Sequence, residues 1–182
     1  MTGRLVMLSG VPGAGKSLLA EGLRTALPAV VLSVDPVEDA LYRAGIARTE
    51  PAGLAAYLVV EALAEPALRA GHSVVVDAVN DDPRARAQWR ELATGVGADL
   101  RLIEVVCSDP MRHRARLEGR RRGLTEIPEP TWASLAPRRH ALQAWAEPRL
   151  VVDSVLDPAD NLACALGFVS GDDGGGTAPA GR

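Results

Sequence analysis

Eight consecutive residues near the N-terminus have the types and spacing of a loop that binds phosphate. They are Gly10, Val11, Pro12, Gly13, Ala14, Gly15, Lys16 and Ser17. The apolar residues 5–8 predict a strand before the loop, and the residues that follow, from Ser17 and Leu18 to Leu23, predict a helix after it. In such an arrangement the glycines let backbone N–H groups surround a di- or triphosphate, and the helix N-terminus adds partial positive charge. We therefore expect residues 10–18 to bind a nucleotide, with the Lys16 ammonium on the β- and γ-phosphates and the Ser17 hydroxyl on Mg²⁺.

Lysine usage supports this interpretation. The chain contains a single lysine, Lys16, and nineteen arginines, so the composition otherwise excludes lysine. An ammonium acts on phosphate as a compact point charge, which a planar guanidinium does not reproduce. The alternative is a glycine-rich turn between strand and helix with a structural role only.

Two aspartates follow predicted strands. Asp35 ends a strand over residues 29–34, and Asp77 ends a strand over residues 73–76. Carboxylates beside a nucleotide can orient Mg²⁺ or accept a proton from an attacking hydroxyl. We assign Asp77 to the metal site with Ser17. Asp35 has two interpretations, a catalytic carboxylate or only a helix N-cap, because Asp-Pro recurs at 35–36, 82–83, 109–110 and 157–158, each time at a predicted helix start.

A segment rich in arginine follows the fourth predicted strand. A helix over residues 111–122 would place Arg112, Arg116 and Arg120 on one face. Like charges packed this closely favour a nearby anion such as a triphosphate. A solvated basic face paired with Glu118 and Glu126 is the alternative. A nucleic-acid patch is disfavoured because aromatic residues for base stacking are absent. Residues 80–82 predict either a contact to a second substrate or a polar turn.

The remaining pattern predicts one α/β domain over residues 1–169 and a disordered, Gly-rich tail over residues 170–182. Strands alternating with helices indicate a doubly wound parallel sheet. A helix over residues 51–70 has an apolar stripe of Leu54, Leu58, Leu63, Ala67 and Leu68. The net charge of −3 indicates neither nucleic acid nor an anionic membrane as partner. Two distant cysteines, with no signal peptide and no apolar run long enough to span a bilayer, predict a cytoplasmic protein. No pattern predicts an oligomeric state.

The phosphate loop, Asp35, Asp77 and the arginine segment together resemble the small P-loop kinases often described as AAA-type ATP-binding proteins. Similar families are chloramphenicol phosphotransferase, gluconate kinase, polynucleotide kinase domains and zeta-type toxins. The resemblance implies a three-layer fold with a five-stranded sheet in the order 2-3-1-4-5 and a lid over about residues 109–129. It also implies MgATP as phosphoryl donor to a hydroxyl, Asp35 as the residue that accepts the hydroxyl proton, and Arg116 and Arg120 on the phosphates. The loop around residues 153–157 would form part of an adenine pocket.

The residues after Asp35 bear on the phosphoryl acceptor. Relatives that bind a charged acceptor often carry a basic residue there, whereas this chain has Val37, Glu38 and Asp39. An acidic rim of Glu38 and Asp39 favours a neutral or cationic small molecule over a nucleic-acid end. Two alternatives to a small-molecule kinase stay open, namely an ATPase or switch without an acceptor and a polynucleotide or toxin-like kinase.

Overall fold

The computed structural model describes residues 3–171, which form one parallel sheet covered by helices. The five strands are β1 (Arg4–Ser9), β2 (Ala29–Ser33), β3 (Ser73–Asp77), β4 (Asp99–Val106) and β5 (Leu150–Asp153). The α-helices are α1 (Lys16–Ala26), α2 (Val34–Arg43), α3 (Ala52–Arg69), α4 (Pro83–Val96), α5 (Pro110–Gly119), α6 (Ala136–Gln143) and α7 (Pro158–Ser170). A 3₁₀ turn, Ala133–Leu135, precedes α6.

The strand order β2-β3-β1-β4-β5 with parallel pairing confirms the predicted doubly wound sheet. Helices α1 and α7 pack together, and α3 packs against α4. Right-handed crossovers place these pairs on opposite faces of the sheet, which makes three layers. The carboxyl ends of all five strands therefore meet at one edge, where ligands of such folds bind.

The hydrophobic core is centred on the middle strands of the sheet, β1 and β3. Residues 5–8 of β1 and residues 74–76 of β3 have no exposed surface. Uninterrupted apolar runs of this kind are typical of parallel strands buried on both faces. The central position of β1 and β3 places the loops that follow them at the middle of the functional edge.

Strand β2 ends earlier than predicted, and this changes the position of Asp35. Helix α2 begins at Val34 with Ser33 as its N-cap, so Asp35 lies inside the first helical turn. The aspartates of the other three Asp-Pro pairs, Asp82, Asp109 and Asp157, accept backbone N–H groups as N-caps. The interpretation of Asp35 as an N-cap only is therefore wrong, and its carboxylate is available for another contact.

The apolar stripe predicted for α3 is confirmed at Leu68 and wrong at its three other leucines. Leu54, Leu58 and Leu63 are 59%, 52% and 54% exposed. The helix instead buries a row of mostly small residues, namely Ala52, Ala56, Val60, Ala64 and Leu68. Small side chains let α3 approach the sheet and α4 closely, so hydrophobicity alone indicated the wrong face.

Helix α7 continues to Ser170, one residue beyond the predicted end of the domain at residue 169. Residues 172–182, most of the predicted tail, lie outside the described residues. None of the helices in residues 3–171 combines the length and apolar character needed to cross a membrane.

The two faces of α3 give a direct test of this packing. Leu68→Ala removes a side chain that is 3% exposed, so we expect it to lower the free energy of unfolding by about 2–4 kcal/mol. Leu58→Ala is the matched control on the exposed face and should change it by less than about 1 kcal/mol. Urea unfolding followed by circular dichroism measures both. Equal losses in the two variants would contradict the burial described here.

Candidate active site

The phosphate-binding loop spans residues 10–15, between β1 and α1, with Lys16 and Ser17 as the first residues of that helix. Gly10 and Gly13 have φ angles of +140° and +81°, which side chains rarely permit. A Cβ on Gly10 would also lie 2.3 Å from the Val105 carbonyl oxygen. The loop therefore requires glycine at these positions for its curvature and its close approach to β4.

Lys16 is buried inside this loop, with 8% of its surface exposed. Its ammonium Nζ donates to the Gly10 carbonyl oxygen at 2.8 Å and to that of Val11 at 3.4 Å. Burial lowers the pKa of Lys16, and the Asp77 carboxylate offsets part of that shift. Neutral carbonyls are its hydrogen-bond partners, so the site retains an excess of positive charge.

Ser17 and Asp77 meet as the sequence predicted. The Ser17 hydroxyl donates to Asp77 Oδ2 at 2.8 Å, because parallel pairing of β1 with β3 aligns Leu8 with Asp77. Within residues 3–171 no group of three or more histidines, cysteines or carboxylates could hold a metal alone. A hydroxyl and one carboxylate fit Mg²⁺, which keeps several waters and takes its other ligands from substrate phosphates.

Asp35 lies at the junction of two cavities. The smaller one, of about 180 Å³, is lined by Lys16, Ser17, Asp77 and Arg120 among other residues. A larger cleft of about 750 Å³ opens beyond it. Four residues line both, namely Pro12, Asp35, Val79 and Arg122. A molecule in the cleft can therefore reach the Asp35 carboxylate and the phosphate loop together.

The structure separates the two arginines that were expected on the phosphates. Helix α5 ends at Gly119, and Arg120 is extended (φ −67°, ψ 139°), so the predicted stripe does not continue through it. Arg120 lines the cavity of Lys16, and its Nη1 is buried without a hydrogen-bond partner among the described residues. Arg116 instead binds the Ser154 hydroxyl and carbonyl, at 2.7 and 3.0 Å, and lines a different cavity. Arg120 is therefore the better placed of the two for a phosphate anion.

The cavity that Arg116 lines lies on the other side of the loop. It measures about 560 Å³, is mostly apolar, and lies between α1, α7 and the loop after β5. Leu18, Ser154, Leu156 and Asn161 are among its lining residues. Its size and position next to Gly15 suit a nucleoside base, in the region where the resemblance implied an adenine pocket.

Arg122 is a site residue that the sequence reasoning missed. Its guanidinium donates to the Asp35 carboxylate through Nη1 and to Glu129 through Nε at 3.1 Å. The side chain is 13% exposed. Gly119 was the sequence signal for this arrangement. Because α5 ends there, the chain is extended at Arg120, and Arg120 and Arg122 line the same cavity.

Two other arginines of the segment, Arg114 and Arg112, form a surface ion pair and a backbone hydrogen bond, respectively. Arg114 forms an exposed pair with Glu118 at 2.7 Å, which is the solvated face of the alternative interpretation. Arg112 donates to the Val155 carbonyl at 3.1 Å. Glu126 pairs with Arg48, outside this segment.

Asp39 does not belong to the acidic rim that the sequence suggested. It is 3% exposed, and its Oδ1 accepts three successive backbone N–H groups, from Thr125, Glu126 and Ile127 at 3.0, 2.7 and 3.2 Å. The bond from Glu126 contributes most to a pKa of Asp39 below its ordinary value. Asp39 therefore anchors the segment that carries Arg120 and Arg122 to helix α2.

The loop after β3 is mainly structural. Asn80 is fully buried, its amide donates to the Leu8 carbonyl at 2.7 Å, and its Oδ1 accepts from the Trp89 indole at 2.9 Å. Asp82 caps α4. Of the three residues proposed to contact a second substrate, Asp81 alone lines the large cleft, where it lies 3.8 Å from Arg138.

Comparison with known proteins identifies the family. A model described as an AAA domain matches residues 5–142. The chain belongs to this AAA domain family. The matched region contains the phosphate loop, both aspartates and the whole arginine segment, so the family pattern covers the site except for the loop after β5.

Curated relatives of this AAA domain are longer proteins. Uncharacterized proteins of Mycobacterium tuberculosis (strain H37Rv) and Mycobacterium bovis are each 34% identical over 150 residues. The matches cover 76% of this chain and 30% of each relative. The chain thus spans about a third of the length of the curated relatives it matches.

Solved structures similar to this AAA domain include several kinases. A sugar kinase from Janibacter sp. HTCC2649 has a TM-score of 0.69 at 18% identity, covering 92% of this chain and 95% of its own. The Mycobacterium tuberculosis APS kinase in complex with AMPPNP and APS has 0.67 at 19%, covering 93% and 98%. A gluconokinase from Sinorhizobium meliloti 1021 has 0.61 at 20%, covering 93% and 92%. The chain has the fold of the small P-loop kinases.

The Asp39 anchor leads to a testable expectation. Asp39→Ala removes the acceptor of three N–H groups, so the segment with Arg120, Arg121 and Arg122 should open more often. We expect trypsin to cleave after these arginines about fivefold to tenfold faster. Mass spectrometry of the fragments locates the cuts. Asp160→Ala, at an exposed carboxylate of α7, is the control, and equal cleavage rates for both variants would contradict the anchoring role.

Proposed function

We propose that this protein is an ATP- and Mg²⁺-dependent kinase that transfers the γ-phosphoryl group to a hydroxyl of a small molecule. The observation that supports this best is the position of Asp35. Its carboxylate lies at the junction between the cavity of Lys16, Ser17 and Arg120 and the open cleft of about 750 Å³. An ATPase that uses only water has no need of a cleft of this size beside its phosphate site.

In the proposed reaction the loop N–H groups, Lys16 and Arg120 hold the phosphates and stabilise the charge on the transferring group. Bound Mg²⁺, held through Ser17 and water near Asp77, would neutralise charge on the β- and γ-oxygens. The acceptor oxygen forms a bond to the γ-phosphorus as the bond from that phosphorus to the ADP oxygen breaks. Asp35 orients the acceptor hydroxyl and takes its proton.

Arg122 donates to Asp35 Oδ2, and this ion pair makes the carboxylate a weaker proton acceptor for the hydroxyl. We propose that residues 109–129 act as the lid and that Arg122 turns from Asp35 and Glu129 to the phosphates when ATP is bound. Both positions satisfy the guanidinium with anionic oxygen, and the two carboxylates that it leaves, Asp35 and Glu129, are 37% and 34% exposed and can be solvated by water. Arg116 then serves the base pocket, with its guanidinium beside the nucleoside.

The cleft favours a neutral or cationic acceptor. Its carboxylates are Asp35, Glu38, Asp81 and Glu129, against the guanidinium groups of Arg122 and Arg138. This balance disfavours the phosphodiester end of a nucleic acid. The solved neighbours include a sugar kinase and a gluconokinase, which fits a hydroxylated small molecule. We also propose a cytoplasmic location, where ATP is available and the free Cys107 and Cys164 stay reduced.

The activity is tested by incubating the protein with γ-labelled ATP and Mg²⁺ in the presence of sugars, nucleosides, amino alcohols, hydroxylated antibiotics and a 5′-hydroxyl oligonucleotide. We expect label on a neutral or amine-bearing compound and none on the oligonucleotide. Label only in inorganic phosphate, at a rate unchanged by any compound, would identify an ATPase instead.

The role of Asp35 is tested with the acceptor so found. Asp35→Asn keeps the shape but removes the proton acceptor, so kcat should fall by about 100-fold or more while ATP affinity stays within about twofold. Glu38→Gln is the matched control, since Glu38 lines the cleft but not the phosphate cavity. It should raise the acceptor KM with little change in kcat. Turnover by the Asp35 variant at the wild-type rate would refute the assignment.

A further inference from the structure

His113 lies on the outer side of the phosphate loop and no motif in the sequence indicates it. It belongs to α5, is 4% exposed, and its Nε2 is 2.9 Å from the Pro12 carbonyl oxygen. A carbonyl oxygen can only accept a hydrogen bond, so Nε2 carries the proton and donates it. The imidazole thus binds a backbone atom at the apex of the loop.

The surroundings hold the imidazole in one orientation. The Trp132 ring meets it edge-on, with centroids 5.1 Å apart and planes at 85°, and the Arg139 guanidinium stacks on Trp132 at 3.7 Å. On the loop side, a Cβ added to Gly13 would lie 3.2 Å from the His113 ring and 3.3 Å from Leu117 Cβ. Burial lowers the pKa of His113, which favours the neutral ring. Helix α5 is therefore packed tightly on the loop through one oriented donor.

Because the peptide bond is planar, the contact of His113 with the Pro12 carbonyl also fixes the direction of the Gly13 N–H. The Pro12–Gly13 peptide is trans, as are all peptides in the described chain, so its carbonyl and its N–H point in opposite directions. Because His113 holds the Pro12 oxygen toward α5, the Gly13 N–H points away from α5. No hydrogen bond within residues 3–171 uses that N–H as donor. A backbone donor without a protein partner, in a loop of this type, is available to an anion.

We propose that His113 is a positioning residue that presents the Gly13 N–H to the polyphosphate of the nucleotide. The inference rests on the proposed nucleotide binding and adds a cause for the shape of the loop. Lys16 holds the carbonyls of Gly10 and Val11, and His113 holds the next one, so side-chain donors fix three successive peptides. Without His113, the Pro12–Gly13 peptide is free to rotate and the N–H loses its direction.

The test compares nucleotides with and without a polyphosphate. His113→Phe keeps a ring against Trp132 but removes the donor, and His113→Leu serves the same purpose if the larger ring disturbs folding. His113→Gln keeps a side-chain N–H donor. His140→Leu, at an exposed histidine of α6, is the matched control. Titration calorimetry with Mg·ADP and with adenosine gives the dissociation constants, and thermal unfolding checks that each variant is folded.

We expect the Phe or Leu variant to bind ADP about tenfold more weakly, the loss for one oriented hydrogen bond. Adenosine affinity should stay within about twofold, and the Gln variant should recover most of the ADP affinity. Unchanged ADP affinity without the donor would overturn the proposal, and so would an equal loss for adenosine, which would show a packing role alone. If the wild-type protein bound adenosine but not ADP, the proposed function itself would fail, together with this inference.

Discussion

The structure depends on a buried positive charge that the protein alone does not neutralise. The Lys16 ammonium is enclosed by the loop and bonded to carbonyl oxygens, while the Asp77 carboxylate accepts from Ser17. A buried charge without an ionic partner is costly. Arg120 adds a second cation to the same cavity, and its buried Nη1 has no acceptor among residues 3–171. A polyphosphate relieves both costs, and this is the physical reason why the site should bind a nucleotide.

The rest of the fold brings complementary groups to that charge. Parallel pairing of β1 with β3 places Ser17 beside Asp77, and the early end of β2 lets α2 present Asp35 from its first turn. Asp39, one helical turn further on, fixes the segment of Arg120 and Arg122 through its backbone. Helix α2 therefore contributes both the proposed catalytic carboxylate and the anchor of the segment that covers it. One short helix thus links Asp35 to the segment of Arg120 and Arg122.

The sequence predicted those parts of the site whose geometry is local. The phosphate loop is encoded by glycine spacing, and the runs of β1 and β3 predicted a buried parallel sheet, so Lys16, Ser17 and Asp77 met as expected. The position of Asp35 depends on where β2 ends, and β2 ends one residue earlier than predicted. Because of this difference, Asp35 lies in the first turn of α2 and lines a cavity, and it is not the N-cap of the helix.

Contacts between residues far apart in the sequence could not be predicted from it. Asp39 binds backbone groups more than eighty residues away, and no side-chain pattern indicates a partner that is a row of N–H groups. The choice between Arg116, Arg120 and Arg122 depends on where α5 ends. The α3 stripe failed at three of its four leucines because close helix packing favoured small residues at most of the buried positions. His113 was missed because its partner is a proline carbonyl, which any residue could supply.

The most direct test of the central claim is the affinity for Mg·ATP measured by titration calorimetry with the wild-type protein and Lys16→Met. Methionine keeps the length and packing of the side chain but removes the charge, and Arg24→Met, on the exposed side of the same helix, is the control. We expect a loss of about 100-fold in ATP affinity for Lys16→Met and none for the control. Equal affinity in all three proteins would contradict it.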